Sequence, residues 1–452
     1  MKELDAEQIK ALGKLISQEG GVIWMRVGEG KTRPALLAAH KLIQESGHTV
    51  MLIVARRAAF YDWKQEVATL QLNYTIRELE DCPLNGIYTE PTIILVSDGK
   101  IFHDLTQDMI RNMFLNKQIG CVIADELWLY KNPSAQKHKA LRRWTELIPA
   151  IGLSGSIMTA RDIVDIYGQM AAIGRGRTLA RTLTNFRQEY QIGVKDPIGN
   201  FPTWSPKPGA YQKIMDKIAP FTHIYMPDVS RVKTKVVLTK VPLLKEQQDF
   251  ITELKETAAI EGMFELKQMG NIITKAQQIS DGWIQKADGS THWIESGKVN
   301  KVDMLLDDLM QTEYKAVVWC AFKEDIQRLM ETALKHSKHV ATLQSKSSFD
   351  VDQWNDPDCR ICLATEASGS SINHFAQVPY AIYFSQDAKW HSLQQSSGRH
   401  TRRSSQHDTA YNIFLHSEKS LDAQVYYVVK QSQHSERSFI QRMGVKQWVE
   451  EK

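Results

Sequence analysis

Short apolar runs recur along this chain between longer amphipathic stretches, and their form restricts the fold more than any other feature. In the first half they occupy residues 22–24, 50–54, 92–96, 121–124 and 148–153; in the second half, 316–320, 339–343, 360–364, 380–384 and 410–414. A strand that is apolar at consecutive positions must be covered on both faces, and strands alternating with helices build such a sheet in parallel order. Two doubly wound α/β domains follow. Their functional groups are expected on the loops after the carboxyl ends of the strands.

Between the two series the rhythm changes. Residues 161–232 read as helical and basic, interrupted by the Pro/Gly-rich stretch 196–209, which we take as the tail of the first domain plus a crossover. Residues 245–279 read as helical, and Asp288-Gly289 inside an alternating stretch predicts a hairpin over 282–294. The expected organisation is a first domain over 1–228, a second over 229–430 with helical and hairpin insertions, and a helical tail over 431–452.

Composition narrows the setting. A length of 452 residues accommodates two or three domains, and a net charge of +4 permits a nucleic-acid partner without demanding one. Five cysteines, an odd number, argue against a disulfide framework and for a reducing compartment. Cys359 and Cys362 have CxxC spacing but no second pair of ligands nearby, so core thiols are expected and no structural zinc. The charged beginning and the absence of a bilayer-length apolar run predict a soluble cytoplasmic protein.

Gly28-Glu29-Gly30-Lys31-Thr32 follows the first apolar run and precedes a helix-like stretch. Gly28 and Gly30 would let backbone N–H groups close around phosphate oxygens, Lys31 would supply charge, and the Thr32 hydroxyl could hold Mg²⁺. Met25 stands where the full phosphate-loop pattern has its first glycine, and an ordinary strand-to-helix turn with solvated Lys31 and Thr32 also fits. Asp125-Glu126 ends an apolar strand, a costly place for two carboxylates unless they have a task. Beside a bound triphosphate, Asp125 would hold Mg²⁺ and Glu126 would polarise the attacking water. Arg399 and Arg402, three apart, are expected on one helix face, suited to phosphoryl charge or, equally, to a basic solvated or phosphate-touching face.

Taken together, these residues resemble a superfamily 2 helicase/translocase, and within it the Swi/Snf-like branch, over nearly the whole chain. Leu4-Asp5-Ala6-Glu7-Gln8 is similar to the element whose glutamine reads adenine, and that family commonly lacks the first glycine of the phosphate loop. Residues 52–55 with Trp63 and Glu66 resemble its motif Ia. Asp125-Glu126-Leu127-Trp128 stands where DEAH or DEGH is usual, and Lys131-Asn132, Ser134 and Lys139-Ala140-Leu141 resemble the branch's own signature. Leu153-Ser154-Gly155-Ser156 resembles the coupling motif, with serine at Ser154 and Ser156. Ser296-Gly297-Lys298 resembles the entry to the second core domain, and residues 318–322 resemble motif IV. Residues 364–373 resemble motif V, and Trp390 with the Gln395 to Arg402 run resembles motif VI.

The resemblance implies two tandem RecA-like domains and an ATP- and Mg²⁺-dependent enzyme. Gln8, Gly28, Gly30, Lys31, Thr32, Gly369 and Gln395 would bind nucleotide, Thr32 and Asp125 the metal, and Lys31, Asp125, Glu126, Arg399 and Arg402 would serve catalysis. Arg56, Arg57, Ser97, Thr365 and Ser370 would touch a nucleic-acid backbone, although solvated loop residues look the same in sequence. Trp283 and Trp293 of the hairpin could stack on a base or wedge a junction; such tryptophans more often pack a hairpin onto its own domain. The implied function is a monomeric ATP-dependent DNA helicase or translocase acting on single-stranded, forked or branched DNA, as in phage and fork-remodelling relatives. An RNA-dependent ATPase, a duplex translocase that separates no strands, and a non-catalytic binding module remain alternatives.

Overall fold

The computed structural model describes residues 4–157, 163–194, 203–226, 232–257, 259–260, 264–265, 270–344, 349–366, 368, 374–387, 389–402, 405–420, 422 and 425–431. The tail expected over 431–452 lies outside the described residues, Gln431 apart. The chain divides into two compact units, residues 1–228 and 229–433.

Unit 1 contains, in chain order, α1 (Ala6–Ser17), β1 (Gly20–Met25), α2 (Thr32–Ser46), β2 (Val50–Ala55), α3 (Phe60–Thr69), β3 (Thr75–Glu78), β4 (Thr92–Ser97), α4 (Asp104–Leu115), β5 (Ile119–Ala124), α5 (Gln136–Thr145), β6 (Ala150–Ser154), α6 (Val164–Ala172), α7 (Leu183–Tyr190), β7 (Gln191–Val194), β8 (Thr203–Pro206), α8 (Ala210–Ile218) and β9 (Thr222–Tyr225). Its sheet runs β3-β4-β2-β5-β6-β1-β9, with every neighbouring pair parallel. β1, β2 and β5 are buried at every position. On β2, Val50, Leu52 and Val54 enter one core cluster while Met51 and Ile53 enter another, so period-two alternation supplies a core on each face. Each fully buried aliphatic side chain of this kind contributes about 1.5–3 kcal/mol by leaving water.

The reading of 161–232 as helix and crossover is incomplete. β7 and β8 pair as an antiparallel ribbon, and β9 returns to the sheet beside β1. Four residues are too few to show a period, so β9 is placed by its partners instead. Arg26 N donates to Tyr225 O at 3.1 Å, and the Lys14 ammonium on α1 donates to the carbonyls of Ala219 and Thr222 at 3.0 and 2.9 Å.

Unit 2 contains β10 (Lys233–Val241), α9 (Lys245–Thr257), β11 (Ala259–Ile260), β12 (Phe264–Glu265), α10 (Gly270–Asp281), β13 (Trp283–Gln285), β14 (Thr291–Trp293), α11 (Gly297–Met310), β15 (Ala316–Cys320), α12 (Lys323–His336), β16 (His339–Leu343), α13 (Val351–Asn355), β17 (Cys359–Thr365), β18 (Tyr380–Tyr383), α14 (Trp390–Gly398) and β19 (Thr409–Ser417). Its sheet, β10-β19-β18-β15-β17-β16, is also parallel throughout. Val317 and Trp319 pack on one face, and Ala316, Val318 and Cys320 on the other. Cys359 and Cys362 are buried thiols of this core. Both units are therefore α/β domains built on a parallel sheet with a core on each face, as the apolar runs predict.

The hairpin forms as expected, with Trp283 opposite Trp293, Lys286 N donating to Ser290 O at 2.8 Å and Gly289 at φ +86° in the turn. Ile284 and Ile294 join Leu243, Ile251, Leu254 and Ile279 in a small core that fastens the hairpin to α9 and α10. Among the described residues, no helix is long and apolar enough to cross a membrane.

Candidate functional site

Because the strands of unit 1 are parallel, their following loops open on one edge. Along that edge the sheet order brings Ser97 at the end of β4, Arg56 after β2, Asp125 after β5, Ser154 at the end of β6 and the glycine loop after β1. The chain leaves β1 for β2 across the strands β5 and β6, which creates the reversal at which α/β sheets bind ligands.

The glycine loop has the form its sequence predicts. Gly28 and Gly30 adopt φ +89° and +80°, and a Cβ on Gly30 would stand 2.5 Å from Gln8 Nε2. That amide donates to Gly30 O at 3.0 Å, while Asp5 and Gln8 form a reciprocal capping box at the start of α1. α2 begins at Thr32, and among the described residues no side chain caps it. A glycine turn leading into a helix start without a side-chain cap is a backbone N–H cradle for an anion.

Asp125 and Glu126 lie at the end of β5. Asp125 Oδ1 accepts from Glu126 N at 2.9 Å, and Asp125 Oδ2 accepts from the Trp63 indole at 3.3 Å. Burial pushes the Asp125 carboxyl up to about 6, the Glu126 charge adding to the rise and Lys31 opposing it. Glu126 is buried, with a left-handed backbone at φ +50°. The Trp128 indole donates to Glu126 Oε2 at 2.7 Å, and the Arg56 guanidinium lies 5.8 Å from the centre of the Trp128 ring. The Asp125 and Glu126 carboxylates and the Thr32 hydroxyl, on loops at the same sheet edge, are hard oxygen donors of the kind that suit Mg²⁺.

Ser154 and Ser156 are buried and bonded to each other: Ser154 Oγ donates to Ser156 O at 2.7 Å and accepts from Ser156 N at 3.1 Å. Gly155 between them faces Val27 of the glycine loop, whose Cγ2 would be 2.8 Å from a Cβ there. Gln169 ties the same region inward, accepting from the Trp24 indole at 3.0 Å and donating to Ile157 O at 2.7 Å. Arg57 turns away from Arg56 towards Glu78 and Glu80, at 3.3 and 3.8 Å.

In unit 2 the expected residues are placed less uniformly. The helix-face reading of Arg399 and Arg402 is corrected: α14 ends at Gly398, Arg399 occupies its cap and Arg402 lies beyond. The cause is His400, fully buried, which accepts from the Trp319 indole at Nε2 (3.1 Å) and donates from Nδ1 to Val378 O (2.9 Å). Drawing that imidazole into the core turns the chain out of helix. Burial pushes His400 down to about 4, which keeps it neutral. Arg399 and Gln395 are buried, and the Gln395 amide nitrogen has no hydrogen-bond partner among the described residues. Thr365 is buried with its hydroxyl 2.6 Å from Ser368 Oγ, while Gly369 and Ser370 lie outside the described residues.

Trp283 offers no face for stacking. It is 1% exposed, and its indole donates to Asp325 Oδ1 at 2.8 Å, so the nucleic-acid role assigned to it is replaced by core packing. Trp293 is 40% exposed, with Arg328 6.0 Å from its ring. Sequence reasoning missed the roles of Trp63, Trp128 and His400. The one available signal was that Trp128 stands where a hydrogen-bonding histidine is usual in the family resembled.

Residues 1–147, which include the glycine loop and Asp125-Glu126, match a family model described as "Type III restriction enzyme, res subunit". No curated protein matches the chain. Among solved structures the chain is similar to the Sulfolobus solfataricus SWI2/SNF2 ATPase core in complex with dsDNA. The identity is 16%, 98% of this chain and 96% of that chain are covered, and the TM-score is 0.41. By its motifs and by the family match in unit 1, the chain resembles a superfamily 2 helicase/translocase.

Proposed function

We propose that this protein is an ATP-dependent DNA translocase that unwinds or branch-migrates forked or branched DNA. The observation that carries the reading is the single edge of unit 1 on which the Gln8-bound glycine loop and the two indole-held acids meet. The N–H groups at the start of α2 and the Lys31 ammonium bind and orient the phosphates of ATP. Thr32 and Asp125 would hold Mg²⁺, which when bound neutralises charge on those phosphates. Glu126 orients the attacking water. Arg56 and Ser97, on the same edge, contact the nucleic-acid backbone.

The burial of Trp283 favours a second reading, duplex translocation without strand separation, because it removes one of the two aromatic faces a wedge would use. ATPase measured with single-stranded, duplex and forked DNA and with RNA, then unwinding and triplex displacement with the best activator, separates these readings. DNA stimulation abolished in Lys31→Ala is expected. Activation by RNA alone, or full DNA-stimulated activity in Lys31→Ala, would overturn the proposal.

A further inference from the structure

β7 and β8 form a two-stranded sheet of their own, with Ile192 opposite Ser205 and Gly193 opposite Trp204. Alternation gives this ribbon two faces. On one, the indole of Trp204 lies against Gly193, where a Cβ would come within 3.0 Å of Cζ3, and the Arg187 guanidinium of α7 stands 5.2 Å from the ring centre. On the other, Ile192, Val194 and Ser205 are exposed, the two aliphatic side chains to 48% and 61%. The mount is rigid: Tyr167, Phe186 and Tyr190 are buried with successive ring centres 4.9 Å apart, which ties α7 to α6.

Two exposed aliphatic side chains alone need no explanation. What singles out this face is the charge around it. Residues 181–217 carry six basic and three acidic side chains, an excess of three, where the whole chain has an excess of four. Two of the cations serve the end of α7: Lys207 donates to Gln188 O at 2.5 Å, and Lys217 pairs with Glu189 at 2.8 Å. Among the described residues Arg181, Arg187 and Lys213 have no ion-pair partner, and Arg187 Nε is buried without a hydrogen bond. Asp216, the acid of α8, accepts from the Gln212 amide at 2.7 Å instead.

Unpaired cations beside a projecting ribbon complement a polyanion. With the Trp204 ring committed to Gly193 and Arg187, the described ribbon offers aliphatic surface and no platform on which unpaired bases stack. A two-stranded ribbon does fit the major groove of a duplex, about 12 Å wide, where methyl groups meet the thymine methyl and a hydroxyl meets base edges. From this we propose that the β7–β8 ribbon is an accessory contact for double-stranded DNA, with Ile192, Val194 and Ser205 in the groove and Arg181, Arg187 and Lys213 on the flanking phosphates. The contact is separate from the sheet-edge loops that carry Arg56 and Ser97, and it rests on the reading of the chain as a DNA translocase.

The test is affinity of the full chain, without nucleotide, for a blunt DNA duplex and for a single strand of the same length, by fluorescence anisotropy over a range of salt. Lys213→Gln, Arg187→Lys, Arg187→Gln/Lys213→Gln, Ile192→Ser/Val194→Ser and Lys31→Ala are compared with wild type. Each phosphate contact adds about 0.9 to the slope of log affinity against log salt, so the slope should be shallower by about 1 in Lys213→Gln and by about 2 in Arg187→Gln/Lys213→Gln, whose duplex affinity should fall roughly tenfold. Arg187→Lys keeps the charge and should keep the slope, which mere packing of Arg187 on Trp204 does not predict. Ile192→Ser/Val194→Ser should lose roughly fivefold in duplex affinity at an unchanged slope. The duplex concentration that half-stimulates ATPase should rise by the same factors, with basal and maximal kcat at wild-type values. Wild-type duplex affinity and slope in Lys213→Gln and both double variants, or equal losses on the single strand, would overturn the proposal. So would altered sedimentation of Ile192→Ser/Val194→Ser with DNA affinity intact, which would make the face a protein interface. Each of these leaves the broader reading standing while DNA-stimulated ATPase is lost in Lys31→Ala; wild-type protein that DNA neither binds nor stimulates would overturn both.

Discussion

Asp125 of unit 1 and Asp325 of unit 2 invite comparison, because each is a carboxylate bonded to a tryptophan indole and each is pushed up to about 6 by burial. Asp325 is fully buried and accepts from three donors: the Trp283 indole, Phe322 N at 3.2 Å and the Ser385 hydroxyl. Among the described residues Asp125 accepts from two donors, and it sits at the carboxyl edge of its sheet with a second acid beside it. An acid whose lone pairs are satisfied from inside serves the fold; one left short of donors at a sheet edge is available for chemistry. The lysines divide in the same way. Lys298, 1% exposed, is clamped by Asp281 at 2.9 Å and Asp422 at 2.7 Å, whereas Lys31 lies partly exposed at the glycine loop.

The largest expected effect sets those lysines against each other. Lys298→Ala strands two buried carboxylates, so urea unfolding of unit 2 should show a loss of about 3–5 kcal/mol. Lys31→Ala should leave the unfolding midpoint unchanged while DNA-stimulated ATPase falls roughly 10²–10³-fold. Equal stability losses in the two variants would erase the distinction.

A smaller effect comes from His400. Its imidazole lies at about 4 in the folded protein against an ordinary 6.5, so the folded state binds this proton less readily than the unfolded state. The stability this residue confers is full above 6.5 and is lost as pH falls towards 4, by roughly 2–3 kcal/mol. Unfolding of wild type and His400→Phe across that range should show the steeper pH slope in wild type; parallel slopes would refute the assignment.

The smallest is at Asp125. Its folded value of about 6 lies above the ordinary 3.8, so the contribution to stability is fully present below 3.8 and lost as pH rises through 6. Asp125→Asn should therefore stabilise the nucleotide- and Mg²⁺-free protein by about 1–2 kcal/mol at pH 7 and by nothing at pH 3.5, after discounting for partial exposure. Thermal unfolding at the two pH values checks this, and a stabilisation of equal size at both would contradict it.

The same contrast explains what the sequence discloses. Runs such as 50–54 and 316–320 announce buried parallel strands because consecutive apolar residues have few other uses, and both fall within strands of the structure. β10 leaves no such mark: an edge strand exposed at its first six positions and rich in Lys and Thr can be polar. The glycine loop is readable because glycine there answers a backbone demand that no other residue meets. The indole bonds of Trp63 and Trp128 are not, since local spacing does not tell which way a tryptophan nitrogen points. Trp283 packs inward, as hairpin tryptophans more often do, and nothing near Arg399 and Arg402 in sequence reveals that His400 is drawn inward.

The last strand of unit 1 is zipped along β1 and fastened to its end by the bond from Arg26 N to Tyr225 O, while Lys14 rivets α1 to the turn that enters it. Any load on β9 therefore arrives, one hydrogen bond later, at Arg26, two residues before Gly28. The last strand of unit 1 and the root of the glycine loop are the same piece of sheet.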